Sequence, residues 1–238
     1  MDSSQSLATD WGLTAEYSRQ TAGPRPATLP PLSKEDQPSW VHSCYAGHRL
    51  GMHAIAKAIN SVPPSESRLR DQGLIPFYEG ACDLADDLRT LARQHNLTLA
   101  PCESLCHDYL QECEVDEKAL IGAVAPYIVP QQKGMLDFLS KLATGHQQLH
   151  WTSMVAFVGV SSEFFIKQAT AGEGVTAPDK PSDALLTPNA KMRAANKVIM
   201  EEVTRLRDQS PSSGWNEKEA QELTMGYLAM VPEVWNAE

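Results

Sequence analysis

The stretch GHQQLHWTSMVAFVGVSSEFFIKQATA, Gly145 to Ala171, is the most apolar long run of the chain and contains no proline. Within it His150, Met154, Phe157, Ser161, Phe164 and Gln168 follow one another at alternating steps of four and three, the spacing that keeps side chains on one side of an α-helix. The other side is also largely apolar, with Trp151, Val155, Val158 and Phe165. A helix apolar round most of its circumference has to be enclosed by other helices. The stretch therefore reads as the central helix of a bundle over 145–171, with His150 and Ser161 as the polar groups it carries inward.

The flanking sequence supplies the helices that would enclose it. Val41, Tyr45, His48, Met52, Ile55 and Ile59 form a stripe that begins near Ser39 and is ended by Pro63 and Pro64. A second helix starts near Pro76 and runs to about Gln94, with Phe77, Ala81, Leu84, Leu88 and Leu91 inward and Glu79, Asp83, Asp86 and Asp87 outward. A short third helix opens at Pro101, with Leu105, Cys106, Tyr109, Leu110 and Cys113 on its apolar side. Asp116 is placed to cap a fourth, which bends between Pro126 and Pro130 around Tyr127 and resumes over 132–142. After a loop over 172–188, a helix over 189–208 buries Met192, Ala195, Val198, Ile199, Val203 and Leu206. A last one, capped by Ser213 or Asn216, turns Ala220, Leu223, Tyr227, Met230 and Val231 inward before Pro232 stops it.

No segment alternates at period two, and no internal repeat recurs at a fixed period. The expected fold is all-α: a single-domain bundle of six or seven helices over 39–238, preceded by a proline-rich arm over 1–38 that includes Pro24, Pro26, Pro30 and Pro31.

Charge and composition narrow the function. The net charge is −10, and the stretch from Glu79 to Glu117 holds ten acids against Arg89 and Arg93. Such a surface repels phosphate backbones and anionic lipids, so neither a nucleic acid nor a membrane is an expected partner. No apolar run reaches the ~20 residues of a membrane span, and Met1 to Asp10 lacks the apolar segment of a secretion signal. The five cysteines include no C-x-x-C pair and read as reduced thiols of a cytoplasmic protein.

Several residues are candidates for chemistry. His48 and His150 lie on apolar stripes, accompanied by Tyr45, Tyr109, Tyr127 and Tyr227, and buried imidazoles and phenols need partners that a ligand can supply. Glu202, at the edge of its stripe, could act as a general acid or base if burial raises its pKa; a rim ion pair is the plainer reading. His146 and His150 have metal-ligand spacing, but no Glu-x-x-His accompanies them, so no metal is assigned and no cofactor is identified. Asp83, Asp86 and Asp87 lack a second metal motif and read as a solvated face. Phosphate-binding glycine loops, a Gly-x-Ser-x-Gly elbow and HExxH are all absent.

About half the chain also resembles the TenA, or thiaminase II, branch of the haem-oxygenase-like helical proteins. The points of similarity are WVHSCY at Trp40–Tyr45, where that branch has an aromatic segment ending Gln-Asp-Tyr; DYL at Asp108–Leu110, similar to its Tyr-x-x-Tyr-Leu helix; and ALIGAVAPY at Ala119–Tyr127, similar to its Ala-Leu-x-Pro-Cys helix. Cys44 stands where the branch has its pocket aspartate, and Tyr127 where it has its nucleophilic cysteine. A tyrosine, with an ordinary pKa near 10, does not replace a thiolate. The resemblance therefore implies a helical pocket without the thiaminase reaction.

The leading expectation is a protein that binds, and transforms if His150, Tyr127 and Glu202 act on it, a small apolar or heteroaromatic metabolite in a central pocket that Tyr45, His48 and Tyr109 help to line. A protein-interaction module and a metal-dependent oxygenase using His146 and His150 are the alternatives, and a homo-oligomer is left open.

Overall fold

The computed structural model of the chain describes residues 37–94, 107–127, 133–145, 149–171 and 188–235. The expected arm over 1–38 falls almost wholly outside these residues, as do Pro101, Cys102, Leu105, Cys106, His146 and most of the 172–188 loop. Eight α-helices and no strand occur among the described residues. They are α1 (Gln37–Ser61), α2 (Ile75–Gln94), α3 (Tyr109–Cys113), α4 (Glu117–Val124), α5 (Lys133–Gly145), α6 (Trp151–Ala171), α7 (Ala190–Asp208) and α8 (Glu217–Trp235). The number exceeds the expected six or seven because α4 ends at Val124 in a 3-10 turn, Ala125–Tyr127, and α5, from Lys133, counts as a helix of its own. The fold is an all-α bundle.

Helix α1 buries Tyr45, Met52 and Ile59 as its stripe requires, and the prolines that follow it shape a 3-10 turn, Pro64–Glu66. A π-helical turn, Leu69–Leu74, then runs directly into α2, with Ile75 N–H bonded to the carbonyl of Arg70, five residues back. Nothing in the hydrophobic pattern announced it. Its cause is Pro76, which has no N–H to give and whose ring would collide with the carbonyl four residues earlier in a regular α-helix; widening the preceding turn relieves the collision.

The central stretch divides in two. Helix α5 is described as far as Gly145, and α6 begins only at Trp151. The core of α6 is as expected, with Met154, Val155, Phe157, Val158, Ser161 and Phe164 buried. His150 is the exception. Its carbonyl accepts from the N–H groups of Ser153 (3.0 Å) and Met154 (3.4 Å), so it caps the helix, and its side chain is exposed instead of being carried inward.

Helices α7 and α8 close the bundle against α6, and α7 also packs on α2. Asn189 fixes the start of α7: its carbonyl oxygen accepts from Met192 N–H at 2.9 Å while its amide donates to the carbonyl of Gly80 on α2 at 2.8 Å. Close approach of α7 to its neighbours rests on two glycines, because a Cβ on Gly80 would lie 2.6 Å from Met192 and one on Gly159 would lie 2.8 Å from Ile199. Asp116 caps α4 by accepting from Ala119 N–H at 2.7 Å, and Asn216 caps α8 by accepting from Glu219 N–H at 3.2 Å. Helix α8 continues through Pro232 to Trp235; a proline deletes one hydrogen bond of a helix without having to stop it. Among the described residues no helix is long and apolar enough to cross a membrane.

Candidate functional site

The C-terminal turns of α1, the end of α3 and the entry to α6 meet around an open groove of about 560 Å³. It is lined by Lys57, Asn60 and Ser61 of α1, Cys113 of α3, and Leu149, His150 and Trp151 at the head of α6. The position follows from the local sequence. Lys57, Asn60 and Ser61 belong to the last turns of α1 before Pro63 and Pro64, and Leu149 to Trp151 lead into α6.

Lys57 and His150 are both held here by named partners. Lys57 Nζ donates to the Cys113 carbonyl at 2.9 Å and to Glu117 at 3.1 Å. The backbone N–H of His150 donates to Glu219 at 3.1 Å, and its ring Nδ1 lies 2.7 Å from the Thr152 hydroxyl. Gly214, with φ of 73°, presses against the same ring: a Cβ there would come within 2.7 Å of Cε1 and Nε2. Burial raises the pKa of Cys113 against the opposing pull of Lys57, so the groove presents a thiol, a poor nucleophile.

One turn deeper along α1 lies a buried ionic cluster. Arg49 is 1% exposed, His53 and Glu112 are 0% exposed, and one carboxylate oxygen of Glu112 accepts from both Arg49 Nη1, at 2.5 Å, and His53 Nδ1, at 2.9 Å. The other ring nitrogen of His53 faces Glu117 at 3.8 Å. Arg49, His53 and Lys57 are spaced at four, so they form one basic stripe on α1 that meets the acids of α3 and α4. None of Arg49, His53 and Glu112 was a candidate from the sequence. The signal was present in that four-residue spacing of three basic side chains on an otherwise apolar helix, and in Glu112, which takes the inward position for which the hydrophobic pattern nominates Leu110. Leu110 is 52% exposed.

Of the residues read from the sequence as a pocket whose side chains are described, Tyr45, His48, Tyr109, His150 and Glu202, His150 alone lines this groove. Tyr45 is buried in the core and Tyr109 packs against it half-buried. His48 donates from Nε2 to the Ala81 carbonyl at 2.8 Å, and burial, partly opposed by that bond, lowers its pKa. Glu202 is buried between Arg68 and Arg205, the latter at 2.6 Å. Burial alone would raise its pKa, but the hydrogen bonds from Arg205 and Arg68 prevail and hold it below the ordinary carboxylate value. It is an ion-paired carboxylate, the plainer of its two readings. Tyr127 ends a 3-10 turn, Ala125–Tyr127, and its side chain, like that of Cys44, lies outside the described part of the chain.

The acidic face is also partly spoken for, since Lys191 pairs with Glu79 at 2.7 Å and Arg89 with Asp86 at 3.1 Å. Among the described residues no group of three His, Cys, Asp or Glu side chains converges as a metal site would. The chain matches no family model, no curated protein and no solved structure.

Proposed function

We propose that this is a helical-bundle protein of the cytoplasm that binds a small heteroaromatic or apolar metabolite in the groove at the head of α6. The observation that carries the reading is the composition of the groove: Trp151 and Leu149 offer an apolar wall beside Lys57, Asn60 and His150, in a volume of about 560 Å³. Ligand sites combine those features in volumes of roughly 300–1,000 Å³. A ring would lie along Trp151 and Leu149, with its polar atoms toward the polar lining residues. The raised pKa of Cys113 favours binding over covalent chemistry at that residue. The site proposed here replaces a central pocket with one at the end of the bundle.

Ser61 offers a clean test, because it is exposed and its hydroxyl bonds only within its own helix, to the Ala58 carbonyl at 2.7 Å. Ser61→Trp should fill the groove and leave the core alone. Saturation-transfer NMR with a set of aromatic fragments should give signals with the wild type that vanish with Ser61→Trp, at unchanged thermal stability. Fragments that bind both proteins equally would place the ligand site elsewhere and defeat the reading.

A further inference from the structure

We infer that the groove takes an uncharged ring, and that Glu117, by balancing Lys57, is the residue that sets this preference. The inference rests on the reading of the groove as a ligand site and adds the charge class of the ligand. Among the described lining residues Lys57 is the one lysine or arginine; Asn60, Ser61, Leu149 and Trp151 carry no charge, and Cys113 is a thiol. The Lys57 ammonium lies 3.1 Å from Glu117, and the two side chains are 15% and 24% exposed. Solvent therefore screens the pair only in part, and each charge cancels most of the field of the other in the groove.

Both members of the pair are held in place. Glu117 stands in the first turn of α4, behind the Asp116 cap, where the helix N-terminus favours a carboxylate, and Lys57 is tied to the Cys113 carbonyl at 2.9 Å. Deeper along α1, Arg49 pairs with Glu112 in the same way. Glu219 accepts from the His150 N–H at the head of α6, where about half a unit of positive helix charge offsets it in part. A ligand carboxylate drawn to Lys57 would also meet the field of Glu117, and an ammonium drawn to Glu117 would meet that of Lys57. Either ion would give up water for no net attraction, whereas an uncharged ring gives up little. Glu117 thus acts by its charge, through Lys57, and is a positioning residue.

The test uses the full chain at pH 8, above the ordinary imidazole value of ~6.5, so that the lysine–glutamate pair is the charge under examination. Naphthamide, naphthoate and naphthylmethylamine share one ring and differ in charge. In calorimetric titrations naphthamide should bind the wild type about tenfold or more tightly than either ion. Glu117→Gln, which leaves Lys57 unbalanced, should turn the preference toward naphthoate, and Lys57→Met, which leaves Glu117 unbalanced, should turn it toward naphthylmethylamine. Loss of a merely structural contact would instead weaken all three alike. Wild-type binding of either ion as tight as that of the amide would overturn the inference while leaving the groove as a ligand site. So would both variants, shown to be folded by circular dichroism, if they keep the wild-type order of the three. Binding that survives Ser61→Trp, or no binding of any of the three, would remove the ligand-site reading and the inference with it.

Discussion

Glu112→Ala is the most informative single change, because one oxygen of that carboxylate serves two buried donors. Its loss takes a carboxylate from Arg49, which is 1% exposed and remains charged in any surroundings, and also removes the acceptor of His53 Nδ1. Breaking a buried ion pair from one side costs about 3–5 kcal/mol, and an orphaned buried polar group about 1–3 kcal/mol more. The expected loss of roughly 4–8 kcal/mol is comparable with the whole stability of an ordinary domain, about 5–15 kcal/mol. In the double variant Arg49→Met with Glu112→Met both charges of the pair are gone, and the histidine term of about 1–3 kcal/mol remains. Urea denaturation followed by far-UV circular dichroism should therefore rank the double variant above Glu112→Ala. The milder Glu112→Gln, which retains a carbonyl acceptor, provides a folded intermediate case. If Glu112→Ala lies within about 1 kcal/mol of the wild type, or the double variant is the less stable of the two, the cluster does not carry the electrostatic weight assigned to it.

Other expectations follow from the same structure. Glu202 titrates lower in the folded chain than its ordinary value of 4.5, so the stability it contributes is complete above pH 4.5 and is lost as the pH falls through the lower folded value; acid melts of Glu202→Gln should show a flatter limb there than the wild type. Gly159→Ala should cost about 1–3 kcal/mol, because its methyl would meet Ile199 at 2.8 Å, whereas Gly51→Ala, with nothing within 4 Å, should gain about 0.5–1 kcal/mol in denaturant melts. Burial pushes the Cys82 thiol up to about 12 and raises that of Cys113, so peptide mapping after brief iodoacetamide treatment of the folded protein should find both much less labelled than after unfolding.

The helical skeleton was legible because period and punctuation agree: Pro63, Asp116, Asn189 and Asn216 mark ends that the apolar stripes also mark. Where they disagreed, neither prevailed throughout: α8 runs on through Pro232, whereas the stripe from His150 to Phe164 suggested an inward histidine and α6 instead begins at Trp151, leaving His150 as its cap, where a side chain leaves the stripe. Glu202 was recognisable as lying at the edge of its helix, yet its partners Arg68 and Arg205 could be assigned only once the segment between Ser61 and Ile75 had a path. The groove itself was beyond reach from sequence, since Lys57, Cys113 and Trp151 come together only through the packing of three helix ends. The Arg49, His53 and Lys57 spacing was readable in principle. Attention to apolar stripes alone passes over a polar stripe that is buried just as deeply.

The widened turn at Leu69–Leu74 bears on how this chain tolerates insertions and deletions. Leu69 and Leu74, both fully buried, are five residues apart, whereas the inward positions that follow, Phe77, Ala81, Leu84 and Leu88, keep to steps of three and four. A π turn is an α turn with one surplus residue, and that surplus restores the rotational phase that Leu69 needs to share a side with the rest. Excising a single exposed residue there, such as Gln72, would shorten the step to four and keep every later side chain in phase, which one deletion in the middle of α6 could not do, but it would also return the Pro76 ring to the carbonyl four residues earlier. Length and core orientation are therefore uncoupled at this segment only if residue 76 is no longer a proline.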